Sequence, residues 1–280
     1  MKRPLGAGDG WQPVVPEESA CTLAEGALRI AADEYPGLDV SLYLDRIEQM
    51  AGTLRRRLRP DISPAAAIIA LNRYLFYELG YRGNAAEFFD PRNSYLNEVL
   101  ERRLGIPISL AVIYIEVGRR IGLPLHGVCF PGHFLVKCTL HTGVIVLDAY
   151  AKGESLSAAM LEERLQAATG RRSSDRELQD ALRSASTSEI LTRMLRNLQA
   201  IYLKQDNFDK ALRAVDQIIT LTPDAAEVYR ERGGIYLQME CIRGALGDFR
   251  NYLELMPSAP DAELVRSRIA ALQTLAARLN

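Results

Sequence analysis

Residues 192–225 recur in 226–259 at a shift of 34, and self-similarity at that period leaves few folds open to a chain. The shift pairs Tyr202 with Tyr236, Ala211 with Ala245, Val215 with Phe249 and Pro223 with Pro257. Each unit therefore reads as two helices: the small Ala lets the second approach the first, the aromatic side chain fills the groove between them, and the Pro stops the second. Helices are expected near 188–205, 208–221, 226–239 and 242–255. A last helix at 260–278, opened by Pro260 and Asp261 and carrying Leu264, Ile269, Leu272 and Leu275, is expected to cap the stack.

The four matched slots resemble signature positions of the tetratricopeptide repeat. Region 186–280 is thus expected to be an all-α domain of two such repeats and a capping helix. Two units are fewer than the roughly three that usually bury a solenoid's faces, so they need a neighbour. The rest of the chain, 1–175, is expected to supply it, with the polar stretch GRRSSDRELQ at 170–179 as linker.

That N-terminal part changes period. Helical spacing runs through 21–34, 39–58 and 64–79. Asp90 caps a helix with Pro91 at its first position, expected to reach about Arg103. Pro107 opens IPISLAVIYIEVGRRIG, which is apolar all round, as a central buried helix is. After Leu123 and Pro124 the period drops to two, giving short strands at 125–130, 133–138 and 144–148 with a turn over Thr139 to Thr142. A buried helix followed by an antiparallel sheet is an α+β core.

Charge narrows the function. The 280 residues carry 34 Lys and Arg against 35 Asp and Glu, a balance that supplies no field for phosphate backbones or anionic lipid. Neither a nucleic-acid nor a membrane partner is expected. The start lacks the apolar core of a signal peptide, and no run of about 18 apolar residues follows, so a cytosolic protein is expected. Cys21, Cys129, Cys138 and Cys241 show neither disulfide nor zinc spacing and read as free thiols, with no cofactor or metal expected.

Of the three histidines, His126 and His141 read as structural. His133 follows the Pro131-Gly132 turn, and Asp148 ends the next strand. A hairpin centred between residues 140 and 141 sets the two directly across from each other. A carboxylate beside an imidazole fixes its tautomer and raises its basicity, as in the base and orienter of a triad, while a plain structural pair is the competing reading.

The run from NSYLNEVLERRLGIPISL through FPGHFLVKC to VIVLDAY resembles the SirB family of bacterial transglutaminase-like proteins, in which such a domain precedes tetratricopeptide repeats. The resemblance implies a papain-like core whose central helix presents a nucleophile to a His and an Asp, here His133 and Asp148. Active transglutaminase-like sequences carry Gly-x-Cys, an Ala four residues on, and Gly-Ile-Pro beyond. Gly105, Ala111 and Gly122-Leu123-Pro124 match that pattern and put Pro107 in the Cys position. A thiol there gains from the helix dipole and the imidazole; proline cannot attack. Ser109, about 200° further round the helix, is expected to point away, and Cys129 is the alternative nucleophile.

Other candidates are weaker. Asn93, Asn97, Glu98, Arg102 and Arg103 are read as lining or bracing the cleft, and Arg55, Arg56, Arg57 and Arg59 as a solvated face. The groove of the repeats is expected to show Arg193, Arg196, Asn197, Ala200 and Arg230, able to grip carboxylates of an extended peptide, with Glu227 and Glu231 opposing. The expected function is a non-catalytic scaffold or adaptor that binds a protein partner through the repeats and the degenerate cleft. The alternative is a thiol-dependent hydrolase or acyl transferase built on His133, Asp148 and Cys129.

Overall fold

The computed structural model describes residues 22–141 and 143–278, so Cys21 and Thr142 lie outside it. The chain divides into two compact units that meet in sequence between Asn207 and Phe208.

The N-terminal unit opens with three helices whose starts are fixed by short polar caps: α1 (Leu23–Glu34) by Thr22, α2 (Val40–Arg55) by Asp39, and α3 (Pro64–Asn72) by Ser63 with Pro64 in its first position. A wider π turn over Arg73–Glu78 extends α3. Strands β1 (Arg82–Gly83) and β2 (Leu104–Gly105) form one short parallel pair. Between them the helix expected from Asp90 to Arg103 is broken in two. Asp90 caps only a 3-10 turn, Pro91–Asn93, and α4 (Leu96–Arg102) follows. The break has a cause in the core: Asn93 and Ser94 are fully buried, and the Asn93 carbonyl accepts a hydrogen bond from the Ser109 hydroxyl instead of continuing a helix.

Helix α5 (Pro107–Arg120) is the central one, with Ile108 and every residue from Leu110 to Ile115 at most 2% exposed. Its one buried carboxylate, Glu116, accepts from the backbone N–H of Ala24 and so satisfies a donor that α1 leaves open in its first turn. Strands β3 (Leu125–Val128), β4 (Leu135–Leu140), β5 (Gly143–Asp148) and β6 (Glu154–Leu156) form an antiparallel meander in chain order. Period-two alternation gives this sheet two buried faces. Leu125 packs on α5 so closely that a Cβ at Gly118 would lie 2.2 Å from its Cδ1. Val128, Leu135, Val146 and Leu156 point the other way, onto Leu161 and Leu165 of α6 (Ala158–Thr169).

Two further helices complete the unit. The stretch expected as a linker holds α7 (Asp175–Ala181), started by a Ser174/Glu177 capping box. Helix α8 (Thr187–Lys204), placed by periodicity in the first repeat, packs within this unit: Leu191 covers Gly26 of α1, where an added Cβ would lie 2.5 Å away, and the hydroxyls of Tyr202 and Tyr95 are 2.7 Å apart.

The C-terminal unit contains α9 (Phe208–Leu221), α10 (Ala226–Gln238), α11 (Ile242–Leu255) and α12 (Ala262–Arg278), within two residues of the expected boundaries. Ala245 is fully buried, and Phe249 packs against Gly233. Arg232 ties the bundle by donating to Asp248 and to Asp216, each at 2.7 Å. No helix among the described residues is long and apolar enough to cross a membrane.

Candidate functional site

The geometry starts at Asp148, the last residue of β5. Its side chain is buried and accepts four hydrogen bonds: Oδ1 from His133 Nε2 at 3.0 Å and from the backbone N–H groups of Tyr150 and Ala151, and Oδ2 from Arg164 Nη1 at 2.8 Å. Burial alone pushes a carboxyl up, but the donors from His133 and Arg164 outweigh it and hold Asp148 at about 2. The site therefore contains a carboxylate whose charge Arg164 already balances.

The hairpin register differs from the expected one. Strand β4 pairs Val136 with Leu147 and Leu140 with Gly143, so the hairpin is centred between residues 141 and 142. His133 and Asp148 are not cross-strand neighbours. They meet because His133 precedes β4, in the turn after Gly132 at φ +72, where its ring is free of the ladder and swings onto Asp148. With Nε2 turned to Asp148, Nδ1 is the remaining ring nitrogen, and it makes no hydrogen bond among the described residues. The Tyr150 ring stands edge-on to the imidazole at 6.3 Å.

His133 lines a cleft of about 200 Å³ closed by Phe88, Phe89, Ile106, Pro107, Ile108, Gly132, Phe134, Arg193, Asn197, Ala200 and Ile201. Pro107 begins α5 at the wall of this cleft. Arg193, on α8, donates from Nη2 to the His133 carbonyl at 3.1 Å, and Asn197 lies one turn further along the same helix. Pro107, His133, Arg193, Asn197 and Ala200 are thus brought together, with Asp148 behind His133.

Other candidates lie elsewhere. Ser109 closes the first turn of α5, its hydroxyl accepting from the Ile106 N–H and donating to the Asn93 carbonyl. Asn97 is buried in α4 with Oδ1 unpartnered, and neither residue lines the cleft. Cys129 is also absent from the lining and makes no hydrogen bond to His133. Burial pushes its thiol up, away from the thiolate a nucleophile needs, with Arg193, Glu189 and Arg183 as its charged neighbours. Arg196 donates to Gln199 rather than lining the cleft. Arg230 belongs to the C-terminal unit, where it pairs with Asp261 and lies over the Tyr252 ring at 5.4 Å.

Of the bracing group, Arg102 pairs with Asp90. The basic run is engaged: Arg55 caps the end of α5 through the Arg120 carbonyl, and Arg57 and Arg59 pair with Glu78 and Asp61. Arg164, Tyr150, Phe88 and Phe89 were not singled out by sequence. Among the described residues no three His, Cys, Asp or Glu side chains gather as metal ligands do.

Most of the residues that line this cleft lie in a segment that matches a known family. Residues 41–196 match the transglutaminase-like superfamily and residues 198–270 the tetratricopeptide repeat. A UPF0162 protein of Xylella fastidiosa is 45% identical over 91% of this chain and 92% of its own. Protein SirB1 of Salmonella typhimurium is 26% identical over 86% of this chain and 89% of its own. Among solved structures, menin, whose crystal structure reveals a binding site for Mixed Lineage Leukemia (MLL) protein, aligns at a TM-score of 0.36 and 11% identity over 83% of this chain and 66% of its own. The chain belongs to the transglutaminase-like superfamily, with a tetratricopeptide-repeat region after the transglutaminase-like domain.

Proposed function

We propose that the protein is a non-catalytic adaptor that binds a protein partner, using its repeats and the cleft around His133 as binding surfaces. One observation carries the reading: no Ser, Thr, Tyr or Cys side chain is among the residues lining the cleft. Pro107, which the family resemblance aligns with the nucleophile position, begins α5 at its wall. Covalent acyl transfer needs a nucleophile within hydrogen-bond reach of the base, and the side chains that share the cleft with His133 are Pro107, Arg193, Asn197, Ala200 and the Phe and Ile walls. Tetratricopeptide repeats generally mediate protein interactions, which fits the second half of the reading.

The test has two arms. Hydrolysis of acyl thioesters by the whole protein should be unchanged by His133→Ala; a His133-dependent turnover would revive the enzyme. Partners captured by the tagged protein, identified by mass spectrometry, should be lost with Ala200→Arg, which fills the cleft from an exposed position on α8. Retention of every partner by both Ala200→Arg and Arg230→Glu would count against these surfaces.

A further inference from the structure

We propose that the cleft captures the C-terminal residue of a protein partner, holding its α-carboxylate on Arg193 and its apolar side chain against the aromatic and Ile walls. The inference rests on the cleft being a protein-binding surface and names what it binds.

Charge is the first support. The one carboxylate of the site, Asp148, is compensated by Arg164, and no Asp or Glu lines the cleft. Arg193 donates to the His133 carbonyl and hydrogen-bonds the Cys129 thiol, and has no carboxylate at ion-pair distance among the described residues, although it is half-buried. At the rim, the Lys204 ammonium lies 4.2 Å from the centroid of the Phe89 ring, also without an acidic partner among the described residues. Two cations without counter-ions, one inside and one at the mouth, favour an anion. A guanidinium fork matches a carboxylate, and a partly desolvated site strengthens the pairing.

Shape is the second. Phe88, Phe89, Ile106, Ile108, Phe134 and Ile201 form apolar walls around about 200 Å³, which is room for a side chain and not for a folded surface. Phe88 and Phe89 are 40% and 58% exposed, an unusual state for adjacent Phe side chains. An internal Asp or Glu would bring a carboxylate with no apolar body. A C-terminal Leu or Phe carries both groups on one Cα, which is how carboxyl-terminus capture works in general. Asn197, one turn along α8 from Arg193, supplies an amide for the peptide backbone at that end.

The experiment uses the full chain and two pools of N-acetylated hexapeptides, randomised before a terminal Leu or Phe, one as free acids and one as C-terminal amides. Bound peptides are separated by size exclusion and counted by mass spectrometry. The free-acid pool should be retained about tenfold over the amide pool, the effect of one charge-assisted contact. Arg193→Gln should erase that preference at an unchanged melting temperature, and Asn197→Ala should weaken retention of both pools. Equal retention of acids and amides overturns the carboxylate site while leaving the cleft a peptide-binding surface. Retention of neither pool overturns both ideas. The wild-type comparison stands even if a variant misfolds.

Discussion

Asp148 organises the site at the residue scale, because it orients His133, closes the turn to Tyr150 and Ala151, and anchors Arg164. A carboxyl held at about 2 when folded, against 3.8 when free, binds its proton more weakly in the native state. Its stabilisation is thus complete above the unfolded value and is lost as pH falls towards the folded one, an effect of about 2 kcal/mol. Asp148→Asn should therefore lower urea stability by that order near neutral pH, and the gap should close as pH falls from about 4 towards 2. Unfolding midpoints across that range decide it; a gap constant with pH would mean that the carboxylate's charge stabilises nothing. The His133–Asp148 pair was legible in sequence although its register was one turn position off, since His133 lies outside the ladder. Arg164 was not, because where a surface arginine of an amphipathic helix ends up depends on how that helix docks. Helix α6 itself had signals in Ser157, the Leu161 and Leu165 spacing, and Gly170.

Helices α5 and α8 hold the cleft at the element scale. Pro107 starts α5 with φ already fixed and no N–H to satisfy, and Ser109 closes the first turn against Asn93. Repeat periodicity located α8 closely but could not say what covers it, since an apolar stripe at 3.6 spacing suits any apolar neighbour. In the structure that stripe is met by the N-terminal unit: Ile190, Leu191, Met194, Leu195 and Leu198 are at most 2% exposed, with Ile190 against Gly127 and Leu191 against Gly26. A fragment of residues 186–280 should accordingly aggregate or self-associate by exposing this stripe, whereas residues 22–207, which retain its cover, should unfold cooperatively. Sedimentation and thermal unfolding of both fragments test this. A monodisperse, cooperatively folded 186–280 fragment would show that α8 does not need the N-terminal unit. Helix 90–103 was overextended for a related reason: the pull of buried Asn93 and Ser94 on the backbone is a tertiary effect that capping signals do not carry.

The whole molecule joins a transglutaminase-like domain to repeats, and Pro107 at the start of α5 shares a cleft with His133, which is hydrogen-bonded to Asp148. Fold class and the helix boundaries of 208–278 were legible because they rest on period and spacing, and the family was legible in the GIPISL and FPGHFLV motifs. The lining of the cleft by Phe88, Phe89 and α8 was not, because it joins segments far apart in sequence. The proline reading is tested most directly by returning the thiol. In full-length protein with Cys21 and Cys241 changed to Ser, and Cys129 and buried Cys138 to Ala, Pro107→Cys places sulfur at a helix start beside an imidazole held by Asp148. The rate of alkylation by iodoacetamide near pH 6, where an unperturbed thiol is almost wholly protonated, should exceed that of a cysteine peptide by at least about tenfold. Adding His133→Ala should remove most of the gain. A folded Pro107→Cys protein that reacts no faster than the peptide, or at a rate indifferent to His133, would contradict the placement of Pro107 at the nucleophile position.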